Sequence, residues 1–271
     1  MANKGLVVGI SDYLMPTSAL TAPAPDARAW RDLLPRCGIP DVTLRTNAIA
    51  TLSEVHDRLF DLFKDAQPRE KRVFVYCGHG TVVRTASRVG DEALQLFHPE
   101  GGNPEAAALT DTELSAIIKA AKPDPETLIT IVLDCCFAGG FDIHPASFLE
   151  SVDELGEMRQ ETIFFAPLLS TEEFDTLLTV HRFGSLWDKG EEFQRIDPLV
   201  VAACHRDQRA GEMPGGNPPH SEFSGRAIPK LMINPNLSHI ELRDAVNREM
   251  TTQQSVLLGN TPRRPHHPFF S

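Results

Sequence analysis

At 271 residues, 41% hydrophobic and 23% charged, the chain is too long and too apolar to be read as disordered, and it can bury a substantial core. Its formal charge of -11 argues against nonspecific nucleic-acid binding, which needs clustered Lys and Arg to displace phosphate counterions, and favours basic or neutral partners. Five cysteines, at 37, 77, 135, 136 and 204, are an odd and sparse set without a secreted disulfide pattern, so they read as reduced thiols available for packing, metal binding or catalysis.

The opening MANKGLVVGI carries one lysine and an apolar run broken at Ser11 and Asp12. That run is too short for a signal peptide or a membrane span, which predicts a cytoplasmic protein without membrane contact. Leu6 to Ile10 is the first of four short apolar runs rich in β-branched residues. The others are Val73 to Cys77, Ile129 to Asp134 and Leu199 to Cys204. None alternates with period two, the pattern of strands buried on both faces of a parallel sheet.

Helical patterns lie between these runs. Asp26 precedes Ala29, Trp30, Leu33 and Leu34 at helical spacing and reads as an N-cap. Thr51 and Glu54 form a capping-box pair ahead of Val55, Leu59, Leu62 and Phe63. A second pair, Thr110 and Glu113, opens a helix with Leu114, Ile117, Ile118 and Ala121 on one face, which Pro123 stops. A third, Ser238 and Glu241, is flanked by the staple residues Leu237 and Leu242. Strands alternating with helices along the whole length predict one domain, 1–271, built on a single open, mostly parallel α/β sheet. Two stretches interrupt it: 142–197, acidic and irregular, and 211–221, where Pro and Gly preclude regular structure.

Two strands end in turns loaded with chemistry, VFVYCGHG (73–80) and ITIVLDCCFAGG (129–140). Ligands of open parallel sheets sit beyond the carboxyl ends of the strands, where His79 and Cys136 would face one crevice. A cysteine beside an imidazole can ionise at neutral pH and attack a carbonyl, the imidazole then returning a proton to the leaving amine. Backbone N–H groups of Gly80 and Cys136 are candidate oxyanion donors.

The segment YCGHG resembles the histidine motif of caspases and metacaspases, and LDCCFAGG resembles their cysteine motif. The interval from His79 to Cys136 is close to the roughly 50 residues between these motifs in caspases. Set against the metacaspase pattern D-S-C-H-S-G, the nucleophile falls on Cys136 and the serine on Cys135, with Phe137 and Ala138 as departures. PDARAW (25–30), CHRDQRAGE (204–212) and the closing QSVLLG extend the likeness over nearly the whole chain. The resemblance implies a caspase-haemoglobinase-like three-layer fold with helices on both faces of the sheet, and a Cys136–His79 cysteine endopeptidase.

It also implies a substrate pocket of Asp26, Cys77 and Asp134, with Asp207 either joining it or standing as a solvated loop charge. Where caspases place a glutamine, two residues before the cysteine, this chain has Asp134. Acidic walls repel an Asp side chain and attract Arg or Lys, so the expected substrates are proteins or peptides with exposed basic residues, Arg being preferred if the two carboxylates form a fork. In caspases the region corresponding to 142–197 separates two subunits. Its only Lys and Arg residues are Arg159, Arg182, Lys189 and Arg195, the candidate self-cleavage points, with Arg182 and Lys189 ranked first for the glycines near them. Calcium is the cofactor that the resemblance raises, but LTDTEL keeps only Asp111 and Glu113 of the family's acidic positions and has Thr112 between them. A role in signalling or defence, with a regulatory partner protein, follows from the same likeness.

Two other classes compete. Cys77, His79, Cys135 and Cys136 are ligand types for structural zinc, although adjacent cysteines fit tetrahedral coordination poorly. An inactive caspase-like scaffold that binds partners would have no need of both His79 and Cys136.

Overall fold

Alternation of side chains along each buried strand sends successive residues to opposite faces of the sheet, and both faces here meet helices. The computed structural model describes residues 2–14, 19–84, 89–100, 104–136, 138, 198–205, 208–213 and 215–258. Its main sheet has six strands: β1 (Lys4–Gly9), β2 (Asp41–Thr46), β3 (Lys71–Cys77), β7 (Leu128–Asp134), β8 (Leu199–Ala202) and β9 (Val256–Leu258). They lie in the order β2-β1-β3-β7-β8-β9, all parallel except the last pair. A second, antiparallel sheet of β4 (Gly80–Arg84), β5 (Val89–Gln95) and β6 (Ala108–Thr110) stands beside it. The single sheet expected from the sequence is therefore two. The extra strands are short or carry charge, so hydrophobic run length does not reveal them.

Helix α1 (Pro23–Leu33) packs on one face of the main sheet with α4 (Ser224–Ile233) and α5 (His239–Asn247), while α2 (Leu52–Phe63) and α3 (Asp111–Ala121) cover the other. Val7, Val73, Val75, Cys77, Val132 and Val201 join Trp30, Leu33, Phe223 and Leu231 in one core cluster. Leu6, Val8, Phe74, Tyr76, Leu133 and Cys135 join Val55, Leu59, Leu114 and Ile118 in the other. The result is the three-layer α/β arrangement.

The helix ends follow the sequence in two of three capping boxes. At α3 and α5 both reciprocal bonds form, and α3 stops at Lys122 in the left-handed region (φ 48°), just before Pro123. At α2 only half forms: the Glu54 N–H donates to Thr51 Oγ1 at 3.3 Å, but the Glu54 carboxylate turns to Arg45 and Arg58. Asp26 is not an N-cap. The helix begins three residues earlier at Pro23, leaving Asp26 wholly buried in its first turn. Residues 211–221 are also not shapeless: Glu212 and Ser221 form an antiparallel bridge, with Met213 N–H donating to His220 O at 2.8 Å and Glu222 N–H to Gly211 O at 2.8 Å.

Candidate active site

Strands β3 and β7 are neighbours in register, Cys77 beside Asp134, so their two loaded turns leave the sheet side by side. The turns are in contact. A Cβ on Gly80 would lie 1.9 Å from the Cys136 carbonyl oxygen, a separation that admits only glycine, and Gly78 N–H donates to Asp134 O at 3.2 Å. Gly80 and Cys136, the two candidate oxyanion donors, are thus adjacent, and His79 sits between Gly78 and Gly80 at the same junction.

The His79 backbone is held by two phenols. Its N–H donates to Tyr13 Oη at 2.7 Å, and Tyr76 Oη is placed to donate to His79 O at 2.9 Å or Gln95 O at 2.6 Å. The Tyr13 ring lies 4.8 Å from the imidazole, tilted 44°. Burial keeps both phenols protonated, pushing their titration well up. Tyr13 has no motif around it. It reaches the site only because β1 and β3 are adjacent.

Strand alternation separates the vicinal thiols. Cys135 is 1% exposed within the core under α2 and α3, whereas Cys136 is partly exposed. Burial holds the Cys136 thiol above its ordinary range, offset in part by the Ala210 N–H directed at the sulfur and by the nearby Arg209. The thiol form is therefore favoured over the thiolate in this environment. The fully buried Cys204 lies with its sulfur 3.2 Å from Cys135 O.

The same alternation turns Cys77 and Asp134 toward α1 and α4. Gly9 allows α1 to come close, since a Cβ there would lie 2.3 Å from Ala27 Cβ and 2.6 Å from Pro23 O. Asp26 and Asp134 then form a buried pair, 0% and 4% exposed, with Cys77 against both. Burial raises the pKa of each carboxyl, and Asp134 raises that of Asp26 further.

Residues 220–224, which carry no recognised motif, complete this cluster. Asp26 Oδ1 is 2.5 Å from His220 Nδ1, and Oδ2 accepts from Ser221 N–H at 2.8 Å. Asp134 Oδ2 accepts from the hydroxyls of Ser221 and Ser224, and Trp30 Nε1–H donates to Ser224 Oγ at 2.8 Å. Asp134 Oδ1 is buried without a hydrogen-bond partner. Three of the four carboxylate oxygens are occupied, so the open two-carboxylate fork expected for arginine is not present in this arrangement. A histidine and two hydroxyls clustered just ahead of a helix were the available signal.

Asp207, Arg159, Arg182, Lys189 and Arg195 lie outside the described residues. Cys77 and Cys135 belong to cores on opposite faces of the sheet, and no group of three or more metal-holding side chains occurs among the described residues, so Cys77, His79, Cys135 and Cys136 do not make a zinc site. Glu113 accepts from Thr110 N–H at 2.8 Å to close its capping box, and Asp111 Oδ1 accepts from Thr112 N–H at 2.7 Å. These two acids are engaged in starting α3. Among the described residues no helix is long and apolar enough to cross a membrane.

Residues 3–143, half of the chain and including both motif turns, match the model of the metacaspase family, peptidase C14 domain. The chain belongs to the metacaspase peptidase C14 family, a class of caspase-like cysteine peptidases. Among solved structures, protein GSU0716 from Geobacter sulfurreducens is similar over 99% of this chain and 98% of its own, with a TM-score of 0.64 and 17% identity, a likeness of fold. A comparison with curated proteins gives no match.

Proposed function

We propose that the protein is a cysteine endopeptidase that cleaves after Arg or Lys, with Cys136 as nucleophile and His79 as general base and then general acid. The observation that carries the specificity is the unpartnered buried oxygen of Asp134, beside Asp26 and two residues before Cys136. A buried acceptor without a donor is costly, and a cationic donor entering from a substrate would satisfy it. Imidazole takes the thiol proton as sulfur attacks the scissile carbonyl; the Gly80 and Cys136 N–H groups face the oxyanion; imidazolium protonates the leaving amine; and water completes hydrolysis of the thioester. The raised thiol pKa supports proton removal during attack over a preformed ion pair.

Self-processing belongs to this reading. A basic-specific enzyme would cut within 142–197 after Arg182 or Lys189, then Arg159 or Arg195, as a cytoplasmic switch answering to a regulatory partner. A positional-scanning peptide library tests the specificity: cleavage after Arg and Lys is expected, and efficient hydrolysis after Asp would refute it. Cys136→Ala and His79→Ala should each lower turnover by orders of magnitude, because members of a catalytic unit fail together. Intact-mass spectrometry tests processing. At micromolar concentration the active chain should yield fragments ending in Arg or Lys, while Cys136→Ala stays whole; an active enzyme that remains full length would defeat self-processing.

A further inference from the structure

Resting on the basic-pocket reading above, the arrangement of residues 211–224 carries a further consequence for which cation is preferred. Asp26 is wholly buried, while the imidazole bonded to it is 28% exposed, so the His220 ring lies between Asp26 and solvent. The backbone fixes it there. Met213 N–H donates to His220 O, Glu222 N–H to Gly211 O, and the Glu212 carboxylate accepts from Thr21 N–H at 2.8 Å and Ala22 N–H at 2.7 Å, which ties the pinched segment to the start of α1. Asp134, the other acid of the pair, has one buried oxygen, Oδ1, without a hydrogen-bond partner.

We propose that His220 is a specificity-determining residue, an occupant of Asp26 supplied by the chain itself, which an arginine side chain must displace and a lysine side chain need not. An ammonium is a compact point charge that needs only one carboxylate, and Asp134 Oδ1 is the acceptor left without a partner, so lysine makes no demand on Asp26. A guanidinium carries five donors in a planar fork and gains its full complement only by bonding both carboxylates, which requires the imidazole to leave Asp26. His220 therefore penalises Arg selectively, and its removal shifts preference toward Arg.

The test is steady-state kinetics at pH 7.5 on matched fluorogenic peptides ending in Arg, Lys and norleucine, with wild type, His220→Ala and His220→Gln. Melting temperatures verify that each variant is folded, and His220→Gln retains a donor for Asp26 should the alanine variant be unstable. For His220→Ala, KM for the Arg peptide should fall about five- to tenfold and KM for the Lys peptide less than twofold, with kcat for both nearly unchanged; this corresponds to about 1–1.4 kcal/mol of selectivity. His220→Gln should lie nearer wild type. A merely structural histidine would move both peptides together, or kcat more than KM. An Arg-to-Lys ratio unchanged within twofold, in an enzyme that does cleave basic peptides, overturns the role of His220 alone. Failure of every variant to cleave either basic peptide, while another peptide is hydrolysed, overturns the basic pocket and this inference with it.

Discussion

The proton on Cys136 is held by its surroundings: burial outweighs the pull of the Ala210 N–H and Arg209. Alkylation by iodoacetamide in the absence of substrate should accordingly climb with pH through and beyond the ordinary thiol range near 8.5, because the thiolate alone reacts and a raised pKa moves its appearance upward. A rate already on its plateau at pH 6, followed by mass spectrometry of the Cys136 peptide, would mean a preformed ion pair with His79. The neighbouring thiol should behave differently. Cys135 is buried in the core beneath α2 and α3, so Cys135→Ala is expected to cost about 1 kcal/mol of stability, read as a lower melting temperature, with activity per folded molecule largely kept.

Contacts between elements rest on two glycines with different duties. At Gly80 the β3–β4 connection touches the turn after β7, and the atom a side chain would strike is the Cys136 backbone carbonyl, which cannot swing aside. Gly80→Ala should therefore separate the histidine and cysteine turns. A displacement near 1 Å can lower turnover about 100-fold, measurable as kcat on a folded variant whose melting temperature falls only modestly. At Gly9 a side chain would strike α1 itself, at Ala27 Cβ and Pro23 O. Gly9→Ala is expected to lose about 1–3 kcal/mol in denaturant unfolding as α1 is pushed from the sheet. Since α1 carries Asp26, KM for basic peptides should rise as well.

Across the whole molecule, acidic groups pull stability in opposite directions. Asp26 and Asp134 hold their protons more tightly in the fold than in the unfolded chain, through burial and, for Asp26, mutual repulsion. Folding then takes up protons, so this pair lowers stability as pH rises above the ordinary aspartate pKa of about 3.9. Asp134→Asn should melt above wild type at pH 8, the gap closing as pH is lowered toward 4, while its recognition of basic peptides is damaged. A lower melting temperature at pH 8 would contradict the sign. Glu222 works the other way. Although burial opposes it, bonds from Thr252, Thr251 and Arg226 hold its carboxyl at about 2. That contribution is present above the ordinary glutamate range and is lost as pH falls through about 2. A destabilising buried acidic pair, offset by a well-bonded acid such as Glu222, is the pattern expected where stability is exchanged for function.

The buried strands, the helices opened by Thr110 and Ser238, and the His79 and Cys136 turns were legible in the sequence because each is a local pattern: an apolar run, a capping pair, a Gly-flanked reactive residue. The family resemblance rests on those same patterns. The short strands β2 and β4–β6 were not legible, since β2 is only half-buried and β4–β6 pair in a separate antiparallel sheet, leaving no continuous apolar run. Asp26 read as a cap because its sequence position suits one; only packing of α1 over Gly9 turns it into half of a buried acidic pair. Tyr13 and Tyr76 clamp His79 through neighbouring strands, and His220, Ser221 and Ser224 reach the two aspartates across 87 or more residues of chain. Sequence patterns fix local conformation through propensity and periodicity, so they revealed the strand-end turns that carry His79 and Cys136. Which groups surround them depends on contacts between distant segments, and those form only when the sheet order and the helix layers bring the segments together.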